Sequence, residues 1–197
     1  MFDLKTLRRF VSDYRQYQDL RHRLKASADR VRSLAKHAIT LMRQDKYHDA
    51  EQLLAEAERV LKSVHTLMKR QPLLATEGFF REALEEYAEA KAYHSFLTGE
   101  RLTIPLFIPL DTDEALGGVC DFTGELVRKA MSIADEEHLK EIESYVRMTQ
   151  RVVDELSHVS FSGKLREKYD DLERNLVKLE RIVYEVRMAR GATLSSE

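Results

Sequence analysis

LREKYDDLERNLVKLERIVYEVRMARG (165–191) is the stretch on which the fold turns. Leu165, Tyr169, Leu172, Leu176, Leu179, Val183 and Val186 step by four and three in strict alternation. They therefore form one coiled-coil-like seam of an α-helix, with charged residues around the rest. This helix begins after Gly163 and ends at Gly191. Working outward, the same periodicity fills most of the chain. Leu4, Leu7, Val11, Tyr14, Leu20, Leu24, Ala28, Val31, Ala35, Ala38 and Met42 mark a first helix over residues 3–43. At ~1.5 Å per residue it is roughly 60 Å long, too long for a compact domain of this size, so its ends are expected to meet another subunit. A second helix covers 48–71 and stops at Pro72, and a third covers 77–97 and stops at Gly99.

Residues 100–111, ERLTIPLFIPLD, are the only candidate for extended structure. Two prolines exclude a central strand, so they read as an apolar connecting loop packed on the body. A fourth helix starts at Thr112 or Asp113, either a possible cap, and runs to 134. It contains Gly117, Gly118 and Gly124. Each costs about 1 kcal/mol relative to alanine in a helix, so something must approach closely there. A fifth helix spans 136–158. The result is an all-α chain of about six helices forming one domain over 1–197, with 191–197 as a frayed tail.

Composition sets limits on this reading. The chain is 43% hydrophobic and 34% charged, with three prolines and seven glycines, which suits long amphipathic helices rather than disorder. Cys120 is the only cysteine, so no internal disulfide can form, and a reducing compartment fits. The N-terminus MFDLKTLRRF has no apolar signal core, and no stretch approaches the ~20 apolar residues of a membrane span. The expectation is a soluble, cytoplasmic protein with no membrane partner. The formal net charge of −2 conceals an asymmetry: residues 1–47 carry twelve Lys and Arg against five Asp and Glu, and the remainder is acidic. A basic arm suggests an anionic partner.

Two carboxylate pairs are the candidate chemistry. Glu86 and Glu89 lie three apart on the third helix, and Asp121 and Glu125 four apart on the fourth, each pair on one face. Should the two helices pack antiparallel, the four acids converge. Like charges so close repel unless a cation neutralises them, and oxygen-only ligands favour a hard cation, Mg²⁺ or Mn²⁺. Spacing alone is equally met by a solvated acidic face, since 34 acids supply such pairs by chance. Against that, the acids sit in ALEEYAEAKAYHSF and LGGVCDFTGEL, mostly apolar runs where a bare charge is expensive.

The second constellation is DLRHRLKASADRVRSLAKH (19–37). Its Arg21, Arg23, Lys25, Arg30, Arg32 and Lys36 could bind phosphates without reading sequence, or form a solvated helix face. A di-iron bundle site needs two Glu-x-x-His motifs, and only Glu155 with His158 is present. Zinc has no ligand set, His94 and Cys120 read as packing residues, and no phosphate-cradling loop or Gly-x-Ser-x-Gly occurs.

The sequence resembles the translin family, and within it the catalytic TRAX (translin-associated factor X) type. EEYAEA (85–90) followed by YHSFL, and LGGVCDFTGELVRKAM (116–131), carry the likeness. RLKASADRVRSLAKHAI (23–39) matches more loosely, and the last helix, 165–191, matches down to its closing Arg and Gly. Ala88 and Phe122 stand where the family has Val and Leu. The resemblance implies an elongated antiparallel helical bundle that assembles into a closed, hollow oligomer. It also implies a Mg²⁺-dependent (or Mn²⁺-dependent) endoribonuclease. Glu86, Glu89 and Asp121 would be metal ligands, and Glu125 a fourth ligand or a residue that orients water. Single-stranded RNA is the implied partner, with DNA and duplex RNA as alternatives. The short connection after the third helix resembles a prokaryotic or archaeal member, which would self-assemble, octamers being one option. The competing readings are a translin-like particle that binds nucleic acid without cutting it, and a helical scaffold.

Overall fold

The computed structural model describes residues 3–105 and 107–194. They form six α-helices: α1 (Leu4–Arg43), α2 (Tyr47–Arg70), α3 (Gly78–Thr98), α4 (Thr112–Ser132), α5 (Leu139–Leu156) and α6 (Gly163–Leu194). A short 3-10 turn, Pro72–Thr76, joins α2 to α3. No strand occurs among the described residues, as the prolines of 100–111 require, and no helix is long and apolar enough to cross a membrane.

Local chemistry explains the helix ends. Asp3 caps α1 by accepting the Lys5 N–H at 2.9 Å. Gly99 ends α3 in the left-handed conformation, φ 72°. The cap of α4 is Asp111, which accepts the Thr112 N–H at 2.8 Å, so the expected caps Thr112 and Asp113 fall inside the helix. The last helix passes the expected stop at Gly191 and continues to Leu194. The rest of the expected frayed tail, 195–197, lies outside the described residues.

The core is a large cluster that includes Leu24, Val31, Met42, Leu61, Phe80, Leu84, Tyr87, Tyr93, Leu126, Ile142 and Tyr145, with a smaller one of Cys120, Tyr169 and Leu172 joining α4 to α6. The α1 stripe is buried only from Leu24 onward. Leu4, Leu7, Phe10, Val11 and Tyr14 leave an exposed apolar run on its N-terminal half.

The joined pairs α1–α2, α2–α3 and α5–α6 are hairpins. The pair α3–α4 is different. Arg81 pairs with Glu114, and Gly118 lies against Ala88 and Glu89, so both helices advance in the same direction. They run parallel, not antiparallel as the sequence suggests for neighbours. The connection makes this possible. Helix α3, 21 residues, is about 31 Å long. Residues 99–111, extended at ~3.3 Å each, span at most about 43 Å, enough to return along the whole helix. Pro109 and Leu110 accordingly line a cavity with Arg81 and Leu84 near the start of α3.

The approach of α3 and α4 explains the glycines. A Cβ on Gly118 would stand 2.6 Å from the Glu89 nitrogen and 2.8 Å from the Ala88 Cβ. A Cβ on Gly124 would meet only Asn175 Nδ2, at 3.6 Å. Gly118→Ala should therefore lower unfolding free energy by about 1–3 kcal/mol, the range for overpacking. Gly124→Ala should be neutral or stabilising by up to about 1 kcal/mol. Urea denaturation of the two variants checks the contrast.

Candidate functional site

The parallel register brings the four acids together. Glu86 and Glu89 of α3 and Asp121 and Glu125 of α4 line one pocket of about 430 Å³, with Lys36, Thr40 and Arg43 of α1 and Arg128 of α4. Because α4 lies on the backbone of α3 at Gly118, beside Glu89, the next turn of α4 brings Asp121 into the same pocket as Glu89. Sequence spacing alone left this convergence open.

Each acid has a different electrostatic setting. Glu86 accepts Lys36 Nζ at 2.8 Å. Asp121 Oδ2 accepts Lys168 Nζ from α6. Glu125 is buried. Its Oε1 accepts Arg128 Nη1 at 2.5 Å, and Arg43 Nε lies 3.6 Å from its Oε2, which has no hydrogen-bond partner. The Glu89 carboxylate has no hydrogen bond or ion pair among the described residues. Burial, followed by repulsion from Asp121, Glu125 and Glu86, pushes its pKa up to about 8. Burial also raises that of Asp121, partly offset by Lys168. Burial opposes the charge of Lys168, but its hydrogen bonds to Asp121 and Glu85 outweigh this and raise its pKa.

The donor set is oxygen-only and suits a hard divalent cation. Two groups are under-satisfied: the Glu89 carboxylate has no counterion among the described residues, and Glu125 Oε2 has Arg43 nearby but no hydrogen bond. A divalent ion would satisfy both. As the side chains stand, no three His, Cys, Asp or Glu among the described residues are arranged to grip a metal ion. Lys36 holds Glu86, Arg43 and Arg128 hold Glu125, and Lys168 holds Asp121 through Oδ2 alone, so a cation would have to displace Lys36 and the arginines.

Four cations of the basic stretch form surface ion pairs with acids of the chain. Arg21 pairs with Glu77 at 2.7 Å, Lys25 with Asp29 at 2.5 Å, Arg30 with Glu56, and Arg32 with Glu82 at 3.5 Å. Only Lys36 reaches the pocket. Arg23 is exposed and has no ion-pair partner among the described residues. Sequence reasoning missed Arg43, Arg128, Glu85 and Lys168. Arg43 was detectable as the residue seven beyond Lys36 on the same helix face, and Arg128 as the residue three beyond Glu125. Nothing local marks Lys168.

The other candidates behave as packing or surface groups. Cys120 is buried, and its thiol is pushed up to about 11 by that burial, which makes it a poor nucleophile. His94 is buried and its pKa is lowered by burial. Glu155 and His158 are exposed.

Fold and pocket together define an all-helical protein with a carboxylate site between two parallel helices. The chain belongs to the translin family, whose model matches residues 14–190. Several solved structures share its fold. Apo-NeC3PO matches with a TM-score of 0.82 at 20% identity, covering 94% of this chain and 100% of that one. AfC3PO matches with a TM-score of 0.85 at 21% identity, covering 94% and 98%. The complex of AfC3PO with duplex RNA matches with a TM-score of 0.81 at 20% identity and the same coverage. No curated protein matches the chain in sequence.

Glu89 makes stability depend on pH. Its carboxyl keeps a proton up to about pH 8 in the folded state, while the unfolded chain releases it in the ordinary glutamate range. The folded state then binds more protons, so this contribution is full at low pH and is lost as pH rises to about 8. Glu89→Gln should raise the metal-free thermal midpoint at about pH 9 and leave it nearly unchanged at about pH 4. Equal shifts at both pH values would contradict the assignment.

Proposed function

We propose that this chain is a Mg²⁺-dependent endoribonuclease of the TRAX type, acting on RNA phosphodiester bonds inside a homo-oligomeric particle. The observation that carries this reading is the meeting of Glu86, Glu89, Asp121 and Glu125 in one pocket ringed by Lys36, Arg43 and Arg128. Glu86, Glu89 and Asp121 would hold Mg²⁺ or Mn²⁺, with Glu125 as a fourth oxygen donor. Such a cation supplies charge neutralisation at the phosphoryl group and an acidified water.

The chain's own residues supply the rest. Lys36 and Arg128 are 60% and 63% exposed, so their heads are free to leave Glu86 and Glu125. They and Arg43 are the cations placed to take the RNA phosphate. Glu89 gives up its carboxyl proton when a cation arrives, so uptake should strengthen as pH rises toward 8. Arg23, exposed on α1, is placed to meet the RNA backbone outside the pocket. A reducing, cytoplasmic setting and a prokaryotic or archaeal type of chain accord with this reading.

The test is incubation of the purified protein with single-stranded RNA, duplex RNA and DNA, with and without Mg²⁺. Duplex RNA belongs in the assay because AfC3PO, which shares the fold, is solved in complex with it. RNA cleavage should require Mg²⁺, and Asp121→Asn should reduce it roughly a hundredfold or more, as loss of a charge-stabilising group does. Cleavage that survives Asp121→Asn would sink the catalytic reading. One observation favours a second reading, a translin-like protein that binds without cutting: protein cations already neutralise three of the four acids. Salt-dependent binding with the nucleic acid left intact would select it.

The exposed run Leu4, Leu7, Phe10, Val11 and Tyr14 supports self-assembly through α1. Light scattering should give a mass several times the 23.0 kDa of one chain. The double change Leu7→Glu and Val11→Glu should yield smaller species.

A further inference from the structure

The cations around the acids are of two kinds. Lys36 and Arg128 reach their acids from the surface. Lys168 is only 13% exposed, and it comes from α6, a helix that lends no acid to the pocket. Its Nζ lies between two carboxylates, Asp121 Oδ2 of α4 and Glu85 Oε1 of α3, the latter at 2.9 Å. Glu85 is fixed in its turn. Lys164 Nζ donates to both of its oxygens, at 3.0 and 3.1 Å. The bare Cα of Gly117 leaves room for the same carboxylate, since a Cβ there would stand 2.9 Å from Glu85 Oε2. Three helices thus converge on one ammonium group, which cannot swing out to water as Lys36 can.

We infer that Lys168 is a positioning residue for the carboxylate site: anchored by Glu85, it holds Asp121 through Oδ2 and leaves Oδ1 to a divalent cation. The inference rests on the metal-binding reading of the four acids. A ligand carboxylate held by a partner outside the metal's own shell keeps one orientation, and losing such a partner typically weakens metal binding about 10–100-fold. The opposite role is equally definite. A cation that merely competes for Asp121 would make binding tighter when removed, because a positive charge next to the site disappears. The two roles differ in sign.

The experiment is titration of the metal-free full-length protein with Mn²⁺, followed by the loss of the free-ion electron paramagnetic resonance signal. Wild type, Lys168→Met and Lys168→Arg are compared, with the thermal midpoint of each as a folding control. The expected result is about a tenfold or greater rise in the Mn²⁺ dissociation constant for Lys168→Met, with most of the affinity recovered in Lys168→Arg. Should the methionine variant not fold, Lys168→Gln, which is neutral but can still donate one hydrogen bond, carries the same comparison. Binding as tight as wild type, or tighter, in a folded neutral variant overturns the inference and leaves the carboxylate site standing. Equal weakening in the arginine variant also overturns it, by showing a packing effect. A wild type that takes up no Mn²⁺ removes the carboxylate reading itself, and the inference with it.

Discussion

At Gly118 the backbones of α3 and α4 come so close that a methyl group has no space beside the Glu89 nitrogen. Most of what distinguishes this molecule depends on that contact. It sets the register in which Asp121 shares a pocket with Glu89. It also buries Glu125 and half-buries Glu86, Glu89 and Asp121, raising the energy of their charge. Were the helices at an ordinary separation of 8–10 Å with side chains between them, the acids would be a solvated strip. The bare glycine turns a sequence pattern common by chance into a pocket.

The concentration of negative charge is then managed by position. Surface cations on flexible stems face Glu86 and Glu125, and a buried one from α6 faces Asp121. Glu89, at the centre, has none and responds by holding its proton. Protein cations thus neutralise three of the four acids, and a divalent ion would have an energetic reason to enter at the fourth. On the proposed reading such an ion would replace a proton on Glu89 and meet the Oε2 of Glu125, which has no hydrogen bond.

How much of this could be read in the sequence varies with the range of the interaction. Helix identity is local, and the three- and four-residue steps located all six helices to within a few residues. The surplus of glycine in α4 marked the close approach before its partner was known. Helix direction is not local. The run ERLTIPLFIPLD was recognised as an apolar connection, but its length relative to α3 decides between a hairpin and a parallel return, and periodicity does not report that. The basic residues of α1 are evident as a cluster, yet Arg21, Lys25, Arg30 and Arg32 are neutralised by acids of α1, α2, α3 and the residue before α3. Lys168 lies 47 residues from Asp121, in a helix whose seam gives no hint of chemistry.

The place of Lys168 on α6, which follows α3 and α4 in the chain, bears on the order in which these helices meet. A ribosome releases α3 and α4 well before α6, so the acids emerge without the ammonium group that will lie between Glu85 and Asp121. Without α6, burying those carboxylates is unfavourable, because their shared ammonium group is missing. Docking of α6 delivers apolar surface and counter-charge together. A helix that lends no acid to the pocket thus supplies the counter-charge on which two of the neighbouring carboxylates depend.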